Sequence, residues 1–330
     1  MGIVVVGGSG FIGTCLGNLL TCDCIDFKIV DKEVSKAFPK QTILGDVRSV
    51  DDLSKMDLEN SVLINLAAEH RDDVKPLSLY DDVNVGGAKN LCIVARQKNI
   101  NKIIFTSSVA VYGFAPLGTD ETGAINPFNE YGRTKYAAEL IFKEWQLEDP
   151  LIRTLVIIRP TVVFGERNRG NVYNLLKQIS SGRFVMIGTG ENRKSMAYVE
   201  NIASFLKYAT TMFQPGVHTY NYIDKPDFTM NKLLETVNPI LGKSGMTKFR
   251  LPYWLGITIG KCFDLLAWIT GKRLAISSIR VKKFCANSMY NTHVSETGFV
   301  PPVPFDEALK RTLKYEFLEE HSKESVFYSE

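Results

Sequence analysis

The first thirteen residues constrain this chain more than any other part of it. Ile3-Val4-Val5-Val6 is an unbroken run of β-branched apolar residues, and it feeds directly into Gly7-Gly8-Ser9-Gly10-Phe11-Ile12-Gly13. A run with no polar alternation marks a strand buried on both faces, hence a parallel strand with helices above and below. A parallel neighbour is reached only through a right-handed crossover, so the stretch from Phe11 to Leu20 is expected to be helical. Glycines at positions 7, 10 and 13 let the chain turn tightly. They also bring backbone N–H groups near a pyrophosphate and let the helix pack against the sheet.

Further short apolar runs at 28–30, 62–66, 103–106 and 155–158 extend the pattern. They are joined by segments long enough for helices, which predicts a doubly wound α/β sheet of Rossmann type. After residue 160 glycine and proline punctuate the chain more often. The expected division is a dinucleotide-binding domain over 1–160 and a smaller substrate-binding region over 161–330, with late elements free to rejoin the sheet. The polar last dozen residues, from Glu319, are expected to fray.

A second strand ends at Asp31, 18 residues beyond Gly13. A carboxylate there accepts hydrogen bonds from ribose hydroxyls and repels a 2′-phosphate, which favours NAD over NADP; Lys32 beside it weakens that preference. Asp46 and Val47 are placed to meet the adenine. The small residues Ala67 and Ala68, after Leu66, suit close approach of backbone to cofactor.

Tyr131-Gly132-Arg133-Thr134-Lys135 sets a phenol and an amine four residues apart, on one face of a helix. A tyrosine is a poor base at neutral pH, and a nearby ammonium stabilises its phenolate. Such a pair can take a proton from a sugar hydroxyl as hydride leaves the same carbon. Ser107-Ser108, following the apolar run at 103–106, places a hydroxyl at the carboxyl end of a strand, where doubly wound sheets bind ligands.

The motifs GGSGFIG, Asp46-Val47, NLAA at 65–68, Asn84, SSVAVYG at 107–113, YGRTK and RPTVVFG at 159–165 occur in the order and spacing of the extended short-chain dehydrogenases/reductases, which the chain resembles over essentially its whole length. That resemblance implies a catalytic set of Ser108, Tyr131 and Lys135. It implies cofactor contacts from Gly7, Gly10, Phe11, Ile12, Gly13, Asp31, Lys32, Asp46, Val47, Leu66, Ala67, Ala68, Asn84, Tyr131, Lys135 and Pro160. Sugar 4,6-dehydratases of this family carry Asp-Glu where this chain has Val109-Ala110, and neither of these residues can exchange a proton. Dehydration is thus disfavoured, which leaves epimerisation or net reduction. The stretches around Glu69-His70-Arg71-Asp72-Asp73, 165–176 and 280–285 resemble the branch of the family that epimerises N-acetylglucosamine on a diphospho-undecaprenol carrier in bacterial surface-polysaccharide assembly. UDP-sugar epimerases and 4-keto-sugar reductases are the alternatives. Substrate contacts are expected from Glu69, Ser108, Arg167, Arg169, Asn171 and either Arg193 or Lys194. In related enzymes an arginine stands five residues before a valine; counting back from Val199 gives Lys194.

The overall charge of +3 gives no reason to expect nucleic-acid binding. Its distribution is uneven: residues 243–283 hold nine basic residues and one acid. Within them, 252–270 reads as a helix that is apolar nearly all round. Trp254 and Trp268 lie near its ends, Lys261 and Asp264 inside it, and Lys272-Arg273 after it. Such a helix suits the interface of a membrane better than its interior. The expected location is cytoplasmic, at the inner face of the membrane. No signal peptide, disulfide or metal site is expected from six scattered cysteines and four histidines. By analogy with the family, the Tyr131–Trp145 helix could pair two copies.

Overall fold

The computed structural model describes residues 2–55, 58–71, 74–243, 250–271, 277–321 and 325–328. Asp72, Asp73, Lys248, Lys272 and Arg273 of the sequence reading lie outside them.

Six strands are built in the first half of the chain: β1 (Ile3–Val6), β2 (Phe27–Asp31), β3 (Thr42–Leu44), β4 (Val62–Asn65), β5 (Lys102–Thr106) and β6 (Thr154–Pro160). Later come β7 (Val162–Phe164), β8 (Met186–Ile187), β9 (Arg193–Tyr198), β10 (Gly216–Tyr222), β11 (Asp224–Thr229) and β12 (Arg250–Leu251). The main sheet has seven strands in the order β10-β6-β5-β4-β1-β2-β3, all pairs parallel. The order reverses at β1, whose neighbours β2 and β4 are reached by crossovers in opposite directions. A crevice opens there at the carboxyl ends of the strands. β1, β4, β5 and β6 are buried along their whole length, as their unbroken apolar runs predict.

Helices α1 (Phe11–Cys22), α2 (Val50–Ser54), α3 (Ser78–Tyr80), α4 (Gly87–Gln97) and α5 (Glu130–Leu147) accompany these strands. In the second half follow α6 (Asn171–Ser180), α7 (Val199–Ala209), α8 (Met230–Ile240), α9 (Tyr253–Thr270), α10 (Ser278–Cys285) and α11 (Phe305–Phe317). One face of the sheet packs Leu53 of α2, Leu91 and Val94 of α4, and Phe142 and Trp145 of α5 into a single apolar cluster. The other packs Leu16 and Leu20 of α1 against Ile202, Phe205 and Leu206 of α7. A third cluster joins α6, α8 and α11 to a small sheet of order β11-β9-β7.

Among the described residues, 325–328 correct the expectation of fraying. Phe327 bridges to Asn168, its N–H donating to Arg167 O (2.8 Å) and its carbonyl accepting from Arg169 N (2.7 Å). The polar composition hid a single aromatic anchor.

α9 leaves most of its surface uncovered. Its two buried residues, Gly256 and Gly260, lie on one side. Trp254, Leu265, Trp268 and Ile269 are exposed on the opposite side, at helical spacing. Asp264 is not part of a solvated stripe: its carboxylate accepts from Ser278 N (3.1 and 3.3 Å) and ties α9 to the first turn of α10. Among the described residues no helix is long and apolar enough to cross a membrane.

Candidate active site

A cleft of about 1290 Å³ runs along the carboxyl ends of the main-sheet strands. That exceeds the roughly 300–1,000 Å³ of a pocket for one small molecule, so a dinucleotide and a sugar can lie in it together. Its floor is the glycine turn. Gly7 sits at φ +75°, and a Cβ there would lie 2.5 Å from Ala67 N, so only glycine lets β1 turn under the loop that follows β4. Gly10 precedes α1 as its N-cap and offers no side chain, so the first-turn N–H groups are left for an anion to bind. Asp31 closes this end: one carboxylate oxygen accepts from Ser9 N (3.0 Å), the other from Glu33 N (3.1 Å). The carboxylate keeps acceptor capacity for a ribose diol. These residues fit a dinucleotide.

Most of the residues singled out from sequence line this cleft: Gly7, Gly10, Phe11, Ile12, Gly13, Asp31, Lys32, Asp46, Val47, Leu66, Ala67, Ala68, Glu69, Ser108, Tyr131, Lys135, Pro160, Asn171 and Lys194. Asp46 is largely committed elsewhere. Arg48 grips it through Nη2 (2.6 Å) and Nε (3.0 Å), and that hydrogen-bonded guanidinium holds its carboxyl below the usual range. Arg48 itself lines the cleft, a contact the sequence reading missed.

Asn84 does not line the cleft. It is buried in a π-helical turn, Asp81–Gly86, between α3 and α4, and acts as a clamp. Its Oδ1 accepts from Glu69 N (2.8 Å), while its Nδ2 donates to Glu69 O (3.0 Å) and Thr134 Oγ1 (2.9 Å). It joins the loop after β4 to the helix that bears Tyr131 and Lys135.

The catalytic set is assembled by one close packing contact. Asn129 caps α5, accepting from Gly132 N (2.9 Å). A Cβ on Gly132 would sit 2.4 Å from Ala110 O, so glycine beside Tyr131 lets α5 press against the turn Val109–Tyr112. In that turn Ala110 N–H donates to Ser108 Oγ (3.1 Å). The same hydroxyl lies within hydrogen-bonding reach of the Tyr131 phenol.

Burial outweighs charge pairing here. It pushes the Tyr131 phenol up to about 12, with the Ser108 hydrogen bond pulling the other way. It drops Lys135 to about 7, with Glu139 opposing; the amine lies 4.5 Å from the centre of the Phe105 ring. The expected lowering of the Tyr131 pKa by Lys135 is thus absent in the protein alone. Both groups are desolvated, and each favours its neutral form.

Arg167 and Arg169 are not brought to the cleft. The Arg167 Nε donates to Ser325 O (2.7 Å), its backbone N–H to Glu316 Oε1 (2.6 Å). Arg169 pairs with the other Glu316 oxygen (2.6 Å). Both arginines fasten the end of the chain, through partners roughly 150 residues away in sequence. Arg193 is exposed and does not line the cleft, whereas Lys194 does. The Lys194 amine donates to Lys283 O (2.9 Å) and Ala286 O (2.6 Å), and burial lowers it to about 8.

The model of the NAD dependent epimerase/dehydratase family matches residues 3–222, which span both the glycine turn and the Ser108–Tyr131–Lys135 set. The chain is a member of that family. Within the family it is 48% identical over 331 residues, 99% of either chain, to the N-acetyl-alpha-D-glucosaminyl-diphospho-ditrans,octacis-undecaprenol 4-epimerase of Escherichia coli O157:H7. It is 26% identical to the UDP-glucose 4-epimerase of Vibrio cholerae, with 94% of each chain covered. The family fold is shared with the NAD complex of the UDP-glucose 4-epimerase of Thermus thermophilus: TM-score 0.72, 20% identity, 96% of this chain and 99% of that one covered.

Proposed function

We propose that this chain is an NAD-dependent 4-epimerase that interconverts N-acetylglucosamine and N-acetylgalactosamine carried on diphospho-undecaprenol. One observation carries the reading. Ser108 and Tyr131 face the same cleft as the glycine turn, in a chain 48% identical end to end to an enzyme named for that reaction.

The bound nicotinamide supplies the acceptor and donor of the C4 hydride. The chain's own residues handle the proton. Ser108 donates to the reacting oxygen and fixes the C4 hydroxyl against Tyr131. Tyr131 takes the hydroxyl proton on oxidation and returns it on reduction. A neutral phenol plus a neutral amine holds as many protons as phenolate plus ammonium. The base form with Lys135 charged thus needs no net proton uptake from solvent. Val109 and Ala110 offer no acid or base to strip water from the 4-keto sugar, so it stays to be re-reduced from its other face.

The groove beyond Tyr131 suits a lipid carrier. Lys194, Lys283, Asn171 and Ala286 line the cleft. The two lysines would meet the diphosphate, and this separates Lys194 from Arg193. Ala286 also lines a neighbouring hollow of about 470 Å³ with Tyr253, Lys282 and Cys285, at the foot of α9. Phe114 and Phe128 stack at the cleft mouth (4.8 Å), with Lys282 and Lys283 over their rings. The exposed apolar side of α9 then rests in the headgroup region of an anionic bilayer. Ile93 of α4 and Leu140 of α5, both exposed, offer a surface on which a second copy pairs.

The test is a paired assay of the NAD-loaded protein on GlcNAc-diphospho-undecaprenol and on UDP-GlcNAc. Conversion of the lipid-linked sugar, with the nucleotide sugar left nearly untouched and no net NAD consumed, supports the reading. Efficient turnover of UDP-GlcNAc would make it a sugar-nucleotide epimerase. NAD oxidation or reduction in step with product would make it a reductase.

A further inference from the structure

We infer that the carboxy-terminal segment 325–328 is a wall of the dinucleotide site and slows release of the cofactor. Val326, Phe327 and Tyr328 line the cleft. The Phe327 ring lies 5.8 Å from that of Phe11, the first residue of α1, beside the uncapped turn suited to a pyrophosphate. An apolar ring there excludes water from the anion-binding N–H groups, which strengthens each hydrogen bond made to them.

The segment is built in, not merely adjacent. Phe327 exchanges backbone hydrogen bonds with Arg167 and Arg169. Arg167 reaches Ser325 through both Nε (2.7 Å, to the carbonyl) and Nη2 (2.5 Å, to the hydroxyl), with its guanidinium 5.2 Å from the centre of the Phe327 ring. Glu316, on α11, accepts from both arginine residues and is nearly inaccessible to solvent. Arg167 holds φ at +70°, a conformation that costs a non-glycine residue of order 1 kcal/mol or more and persists only when its surroundings enforce it. These contacts converge on holding one phenylalanine over the start of α1.

Slow release suits the chemistry proposed above, on which this inference rests. An epimerase returns the hydride it takes, so its cofactor need not exchange between turnovers. A net reductase would be throttled by the same wall.

The test measures exit of NAD from the loaded protein, by dilution into excess fluorescent etheno-NAD, with no sugar present. The variants are a deletion of 325–330, Phe327→Ala and Arg167→Ala. Loss of much of a buried aromatic contact should raise the exit rate about tenfold in the first two. Arg167→Ala should fall between them and the unaltered protein. Melting of the cofactor-free forms checks folding, and Phe327→Ala keeps the backbone bridge should the deletion fail to fold. Exit rates within about twofold of the unaltered protein for Phe327→Ala would overturn the wall. Failure of the full chain to bind NAD at all would instead overturn the proposed function.

Discussion

Replacing Glu139 by alanine tests how the catalytic helix is seated. Glu139 is fully buried on α5 and accepts three hydrogen bonds: from Arg159 Nε (2.8 Å), Arg159 Nη2 (2.6 Å) and the Ser107 hydroxyl (2.5 Å). Arg159, on β6, is 3% exposed and also donates to the Tyr112 hydroxyl (2.6 Å). One carboxylate thereby fixes α5, β6 and the residue next to Ser108. Removing it strands a guanidinium in the interior and leaves the Ser107 hydroxyl without its acceptor. Breaking a buried pair from one side costs about 3–5 kcal/mol, most of it for the stranded charge. With a urea m-value of about 3 kcal/mol/M for a large domain, the unfolding midpoint should fall by about 1–1.7 M. Glu139→Gln keeps the shape without the charge and should lie between. The double replacement Glu139→Leu with Arg159→Met leaves no charge to strand, so it should recover most of the loss. Its kcat should stay low, because Ser107 remains unanchored. Urea titrations followed by tryptophan fluorescence, with kcat read where all forms are folded, decide the matter. A midpoint shift worth less than about 1 kcal/mol for Glu139→Ala would refute the reasoning.

Tyr131→Phe should keep NAD binding and lose about 10²–10⁴-fold in turnover, measured as conversion of the lipid-linked sugar; full turnover would remove Tyr131 from the mechanism. The depressed Lys135 pKa predicts a pH effect on the cofactor-free protein. Its unfolded pKa is near 10.5 and its folded one about 7, so above pH 7 the unfolded chain binds more protons at this site and stability rises with pH. Between pH 7 and 8, below the range where thiols and phenols of the unfolded chain ionise, Lys135→Met should flatten that rise; an unchanged slope would refute it. Vesicles containing anionic lipid should retain the protein at low salt and release it at high salt, since each basic residue near the surface contributes about 1 kcal/mol. Trp268→Ser with Ile269→Ser should weaken retention, and equal partition with and without vesicles would reject α9 as the contact.

What could be read from sequence divides along physical lines. Local codes were legible: unbroken β-branched runs gave the central strands, and the glycine spacing gave the turn beneath the cleft. The Tyr131/Lys135 spacing gave one helix face, and it lines the cleft. β3 was not foreseen, and β10 only as an unplaced late element that rejoins the sheet. Thr42-Ile43-Leu44 is too short for a period, and Gly216–Tyr222 carries the polar residues of a sheet edge. Arg167 and Arg169 were expected to contact the substrate, on the resemblance of their stretch. Their partner, Glu316, stands 147 residues beyond Arg169, and nothing local announces it. Asn84 was expected to contact the cofactor; it lies off the cleft, and its clamp on Glu69 depends on a π-helical turn that no periodicity reveals.

The place of β10 in the chain has a consequence for biosynthesis. Six of the seven main-sheet strands are complete at Pro160, but the edge strand that pairs with β6 ends at Tyr222. Between them lies α7, whose Ile202, Phe205 and Leu206 join the cluster beneath Val156 and Ile158. At about 5–20 residues per second, those 62 residues take roughly 3–12 s to translate. For that interval a nascent chain presents a bare strand edge and an uncovered apolar patch at the same point, which is where a chaperone would engage it or a neighbouring chain would misassemble with it.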